Sequence, residues 1–188
     1  MEQILETRPA DNGVNFGALL AAREALTDAP EAAQFTWRAN CKWFEGAHSR
    51  STINGFFGLG KEQVRERGFD IESDHPALFA ASDNAATPLE IVLAALASCL
   101  TGGVASIAQH RGVQLNSVEV RVEGDMDMSG VLGIDPDVRL GFNSIRVHFD
   151  IDADASDDEI AGIIAQSQKR SAIYDVITNP GNVRTTVD

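Results

Sequence analysis

Cys99 and Cys41 are the only two cysteines in this chain of 188 residues, and a thiol is the strongest nucleophile that the sequence offers. Cys99 stands in Thr87-Pro-Leu-Glu-Ile-Val-Leu-Ala-Ala-Leu-Ala-Ser-Cys-Leu100, a run with almost no polar residue. A thiol in such surroundings is either a small core hydrophobe or a shielded reactive group. A redox role requires the thiolate, and a free thiol ionises only near pH ~8.5, so a cation must stand beside it. Cys41 alternates with Trp37 and Trp43 in a period of two and shares their face, which makes it a core residue. The histidines His48, His75, His110 and His148 have no metal-ligand spacing. The acidic stretch around Asp125, Asp127 and Asp135 to Asp137 lacks the spacing of a calcium loop. No metal and no cofactor is expected.

The element that positions Cys99 is legible. Thr87 is an N-cap, Pro88 suits the first helical position, and Glu90 follows Thr87 by three residues. Gly112 supplies a stop after Arg111. A helix from Pro88 to Arg111 spans roughly 36 Å. Its apolar residues cover every face, so it should be buried all round, with a second subunit packed on it. Gly102 and Gly103 leave room for a close helix approach or a kink. Its length alone would also suit a membrane span, but Glu90, Ser98, Thr101 and Ser106 and the missing basic flank argue against one.

Around that helix the hydrophobic period changes along the chain. Met1 to Asn12 reads as a loosely attached tail, and Phe16 to Ala29 as a short amphipathic helix ended by Pro30. Phe35 to Trp43 alternates as a half-buried strand, Ser51 to Phe57 is a second, and a third lies near Gly68 to Ser73. Val118 to Val122 and Ile145 to Ile151 alternate again, separated by a turn-rich excursion from Gly124 to Gly141. Ser156 and Glu159 form a second capping box, opening a helix to about Arg170. Ser171 to Thr178 is a short helix or loop, and Val183 to Val187 is a last strand. This order predicts an α+β fold of antiparallel sheets wrapped around one long central helix. Residues 1–33 form a tail with a short helix, and 34–188 form the main domain.

The net charge of -13 excludes nucleic acid and anionic membrane surfaces as partners, because phosphate contacts need a basic patch. Two cysteines cannot make a disulfide scaffold. No apolar run follows a basic start, so a cytoplasmic location with free thiols is the expectation.

Four segments in order carry a family resemblance. They are Phe69-Asp-Ile-Glu-Ser-Asp-His-Pro76, the Thr87–Leu100 run, Val122-Glu-Gly-Asp-Met-Asp-Met-Ser-Gly-Val-Leu-Gly-Ile-Asp135, and Gln168-Lys-Arg-Ser-Ala-Ile-Tyr-Asp-Val-Ile-Thr-Asn-Pro180. Together they resemble the OsmC/Ohr-like proteins over roughly Gln34 to Val187. The resemblance implies an intertwined homodimer with the cysteine-bearing helices at its centre. It also implies thiol-dependent reduction of organic hydroperoxides by a peroxidatic and a resolving cysteine, assisted by an Arg and a Glu. Cys99 matches the peroxidatic position, and Arg50 in His48-Ser-Arg-Ser51 is the best match for the Arg. The resolving position falls on Ser171, and a serine cannot form a disulfide. The Glu position falls on Leu89, with Glu90 one helical step of about 100° away.

The first expectation is therefore a hydroperoxide reductase acting through Cys99 in a one-cysteine cycle, with Arg50 as the cation and an external thiol as reductant. Glu90 and Ser171 are possible assistants. The alternative is a non-catalytic dimer that holds a small hydrophobic ligand over Cys99. A third is a structural dimer with Cys99 inert.

Overall fold

The computed structural model describes residues 9–187. The elements run α1 (Phe16–Asp28), β1 (Thr36–Trp37), β2 (Asn40–Glu45), β3 (His48–Gly58), β4 (Lys61–Ser73) and α2 (Pro88–Arg111). They continue with β5 (Leu115–Asp125), α3 (Met128–Val131), β6 (Ser144–Ala153), α4 (Asp157–Arg170) and α5 (Ala172–Thr178). Every strand pairing is antiparallel, and the class is α+β with one long central helix, as expected. The chain divides into two compact units. Gly17–Val92 forms one, the strand unit; Leu93–Asp188 with Met1–Phe16 forms the other, the core unit.

In the strand unit, β3 is the central strand. It pairs with β1 and β2 along one side and with β4 on the other, with Arg50 opposite both Lys42 and Glu72. The single strand expected from Phe35 to Trp43 is two, interrupted at Arg38 and Ala39, and β2 is exposed throughout rather than half-buried. The strand expected near Gly68 begins earlier, at Lys61, because Leu59 and Gly60 adopt positive φ and turn β3 directly into β4. Phe35, Trp37 and Phe56 stack on one another with centroids 4.5 to 6.0 Å apart. The Arg65 guanidinium lies over Phe56 and Phe69. Such pairs add to area burial, but these rings stay partly in water.

In the core unit, Val104, Ile107, Ala108, Val113 and Ile163 form the buried cluster. Val118, Phe149 and Ile151 of the β5–β6 ribbon pack against it. Both ribbon strands alternate between half-buried and exposed residues, as their sequence period requires. Helix α2 has the expected ends. Thr87 Oγ1 accepts from Glu90 N–H at 3.2 Å, Glu90 Oε2 accepts from Thr87 N–H at 2.8 Å, and Gly112 has φ of 72°. The capping box of α4 is likewise formed by Ser156 and Glu159.

Four expectations are corrected. Helix α2 is not buried all round in the single chain: only Leu96, Leu100, Val104, Ile107 and Ala108 are buried, a stripe of one helical face. Val183 to Val187 form no strand. Val183 and Val187 are 87% and 97% exposed and find no ladder partner, so their β-branched alternation has nothing to pair with. The expected loose tail is partly tied down. Residues 1–8 lie outside the described residues, but Asn12 gives its side-chain N–H to Val113 O and takes Leu115 N–H on its side-chain oxygen. Gln109 accepts from Asn12 N–H and donates to Ala10 O, so its amide side chain pairs with the backbone 97 and 99 residues away. The excursion expected from Gly124 to Gly141 begins two residues later, after Asp125, and contains the single turn of α3, capped by Asp127.

Candidate functional site

Cys99 sits on α2 beside the buried stripe and is half-buried. The residue that meets it comes from the junction of α4 and α5. Arg170 ends α4, and Ser171 is both the C-cap of that helix and the N-cap of α5. Ser171 is 5% exposed. Its oxygen accepts from Tyr174 N–H at 3.1 Å, and its hydroxyl donates to the Cys99 sulfur at 3.1 Å. A hydroxyl carries a single proton, and a backbone N–H can only donate. With Tyr174 N–H on one lone pair of the oxygen, the Ser171 proton is available to the sulfur.

The approach of α4 to α2 that brings Ser171 there depends on Gly103. A Cβ on Gly103 would fall far inside contact distance of Ser167 Oγ, and that buried hydroxyl donates to Leu100 O at 2.9 Å. Gly103 thus supplies the close helix approach expected of the Gly102–Gly103 pair. At Gly102 an added Cβ meets nothing within 4 Å.

The other candidates lie in the strand unit. Arg50 on β3 faces Glu72 on β4 across the strand register and donates from Nε and Nη2 to Glu72 Oε1 at 3.0 and 2.6 Å. His48 Nε2 meets the other oxygen, Oε2, at 2.8 Å. The His48 hydrogen bond first, then that of Arg50, holds the Glu72 carboxyl below its ordinary range. Glu72 in turn raises the Arg50 guanidinium. The Arg50 guanidinium also lies 5.1 Å from the centroid of Phe44. It borders an open cavity of about 330 Å³ shared with Asn40, Cys41, Lys42, Phe44 and Thr52.

Cys41 lines that cavity and is exposed, not the core residue expected from its tryptophan neighbours. The reason is that β2 is an edge strand, paired only with β3, and Trp43 itself is exposed. The hydroxyls of Ser51 and Ser49 hold the Cys41 thiol below its usual range. Glu90 is engaged in the capping box with Thr87.

Glu72 and Asp74 are polar groups that the sequence pattern alone does not single out. Asp74 is 1% exposed, yet accepts from His75 N–H, Asn84 N–H and the Asn84 side chain at 2.8 to 3.0 Å. The Asn84 N–H is the largest cause of its lowered carboxyl. It clasps the loop that leads into α2. Both residues stand in the Phe69–Pro76 segment, so the signal that could have found them was there. Among the described residues no cluster of His, Cys, Asp and Glu is arranged to hold a metal ion.

Residues 81–186 match the family model described as OsmC-like protein. An OsmC-like protein of Mycoplasma pneumoniae superposes with a TM-score of 0.60 at 18% identity, covering 77% of this chain and 89% of its own. A protein of Legionella pneumophila named organic hydroperoxide resistance protein OsmC superposes with a TM-score of 0.53 at 15% identity, covering 76% and 90%. At these identities the likeness establishes the fold. No curated protein matches the chain.

Proposed function

The chain belongs to the OsmC-like protein family, and from that premise we propose that it is a thiol-dependent organic hydroperoxide reductase acting through Cys99 in a one-cysteine cycle. The observation that carries the reading is the Cys99 sulfur on the central helix with a hydroxyl, and no thiol, as its neighbour from the α4–α5 junction. Organic hydroperoxide resistance is what the name of the Legionella protein of the same fold states.

The cycle balances without a second protein cysteine. The Cys99 thiolate attacks the distal oxygen of ROOH; the S–O bond forms, the O–O bond breaks, and the alkoxide takes a proton to leave as ROH. Cys99 is then a sulfenic acid. A first external thiol attacks its sulfur, giving a mixed disulfide and water. A second external thiol attacks the mixed disulfide, restores Cys99 and leaves as the oxidised disulfide. Two thiols are oxidised for each hydroperoxide reduced. Arg50 is assigned the peroxide oxygen, where a guanidinium stabilises charge on the leaving alkoxide. Glu90 is left to its helix cap. The reducing interior of a cell would supply the external thiols.

The active form in this reading is a homodimer. Helix α2 carries Val92 and Gly102 on exposed positions, and the strand unit exposes Trp37, Trp43 and Phe69. Apolar surface of this kind favours a partner subunit.

Consumption of tert-butyl hydroperoxide with dithiothreitol tests the reading in wild type and Cys99→Ser. The expected loss is at least about 100-fold. Equal rates would end it. The Leu89 side chain where the family has a carboxylate favours a second reading, in which the site only holds a small hydrophobic molecule. A co-purified ligand in native mass spectrometry, with no turnover, would select it.

A further inference from the structure

We propose that Ser171 is a catalytic hydrogen-bond donor to the Cys99 sulfur, and that its locked cap position commits the oxidised sulfur to an external thiol. The inference rests on Cys99 being the reacting sulfur, as read above.

Ser171 is buried between the end of α4 and the start of α5, and its oxygen is occupied by Tyr174 N–H. The cap fixes the position of that oxygen, 3.1 Å from the Cys99 sulfur. In the resting protein the hydroxyl donates to that sulfur. A donor fixed in this way needs no reorganisation when charge sits on the sulfur, which is the condition under which hydrogen bonds contribute most to a reaction. Hydrogen bonds to charged groups are also stronger than those between neutral ones.

The same placement decides the fate of the oxidised sulfur. Once Cys99 is a sulfenic acid, its neighbour at 3.1 Å is an oxygen that cannot form a disulfide. The protein has no internal reaction at that position, so S–S bond formation and loss of water wait for a thiol from outside. Ser171 thus serves as donor in the resting state and as an inert wall after oxidation.

The test measures alkylation of Cys99 by iodoacetamide at pH 7, in a Cys41→Ala background that removes the exposed thiol. It needs no peroxide, so it stands or falls separately from the reductase reading. Ser171→Ala should slow alkylation about tenfold by removing the donor, and Ser171→Thr, which keeps the hydroxyl, should restore it. A merely structural serine predicts the opposite sign, because loosening α5 would expose Cys99 and speed the reaction. Unchanged or faster alkylation in folded Ser171→Ala overturns the proposal. If the alanine variant fails to fold, Ser171→Cys carries the test. Diamide should then close a disulfide between Cys99 and the introduced thiol within the monomer, and failure to form it in the soluble variant overturns the proposed contact. Slowed alkylation in a protein that consumes no hydroperoxide would leave the donor role standing and sink only the reductase reading.

Discussion

The side chain that carries the sulfur and the one that carries the guanidinium are placed by different means. Around Cys99, the core unit holds every buried hydrophobic side chain among the described residues, from Leu96 on α2 to Ile163 on α4. Arg50 belongs to a unit whose aromatic residues remain partly exposed and whose order comes from strand register and ion pairs. A packed core resists local change, so the Ser171 hydroxyl is fixed by the helices that surround it. A half-exposed ion pair fixes a side chain with little stability attached to it. Changes to the packing around Cys99 should therefore show in stability, and changes near Arg50 first in activity.

Arg50→Ala gives the largest expected effect in the strand unit. It should lower kcat/KM for an organic hydroperoxide about 100-fold, as removal of an oxyanion donor does. The melting temperature should not move measurably. Arg38 supplies the control, since it makes a comparable two-point pair with Glu62 at 2.8 and 3.0 Å on the same sheet. Glu62→Gln should leave the activity unchanged. Equal losses in the two variants would mean that the ion pairs act only by holding the sheet, and the contrast between the units would fail.

In the core unit the corresponding experiment is Gly103→Ala. The added methyl would press on Ser167 Oγ and should cost about 1–3 kcal/mol in chemical denaturation. Gly102→Ala, one position away, meets no atom within 4 Å and should be neutral or stabilise by up to about 1 kcal/mol. A large loss at Gly102 instead would reveal a second surface packed on the exposed side of α2, and would sharpen the dimer reading.

The two capping boxes offer a smaller and more even effect. Thr87→Ala and Ser156→Ala each remove an N-cap and should each cost about 1 kcal/mol. Thr87 begins α2 in the strand unit and Ser156 begins α4 in the core unit. A cost at Ser156 with none at Thr87 would show that the first turn of α2 frays independently of the core.

Local chemistry was what the sequence expressed most directly. Both boxes, the Gly112 stop and the alternation of β5 and β6 follow from residues within a few positions of one another, so they could be read without a structure. The match at Cys99 and Ser171 was also legible, because their segments are recognisable runs. What could not be read was pairing across distance. The partner of Arg50 is decided by strand register, which puts Glu72 opposite it after 22 residues. The hold of Asn12 on Val113 and Leu115 depends on polar side chains that carry no hydrophobic period. Exposure failed for a related reason. Alternation around Cys41 specifies a face but not whether anything covers it, and β2 lies at an edge.

The smallest effect concerns acid, and it lies in the core unit despite being a surface pair. Asp125 at the end of β5 accepts from Arg146 and Ser144 of β6. The Arg146 hydrogen bond, followed by that of Ser144, lowers its carboxyl from an ordinary value of 3.8 to about 2. The unfolded chain therefore takes up the proton first as the pH falls. The stability this pair contributes is complete above the ordinary value, declines between 3.8 and about 2, and is gone below that. Both side chains are about half exposed, so water and salt screen the pair and the contribution is small. Denaturation midpoints of wild type and Asp125→Asn should therefore differ modestly at neutral pH and converge below about pH 2, with 1 M salt reducing the difference. A difference that persists undiminished through that window would assign the effect of the substitution to the end of the β5–β6 ribbon itself, and not to the charge on Asp125.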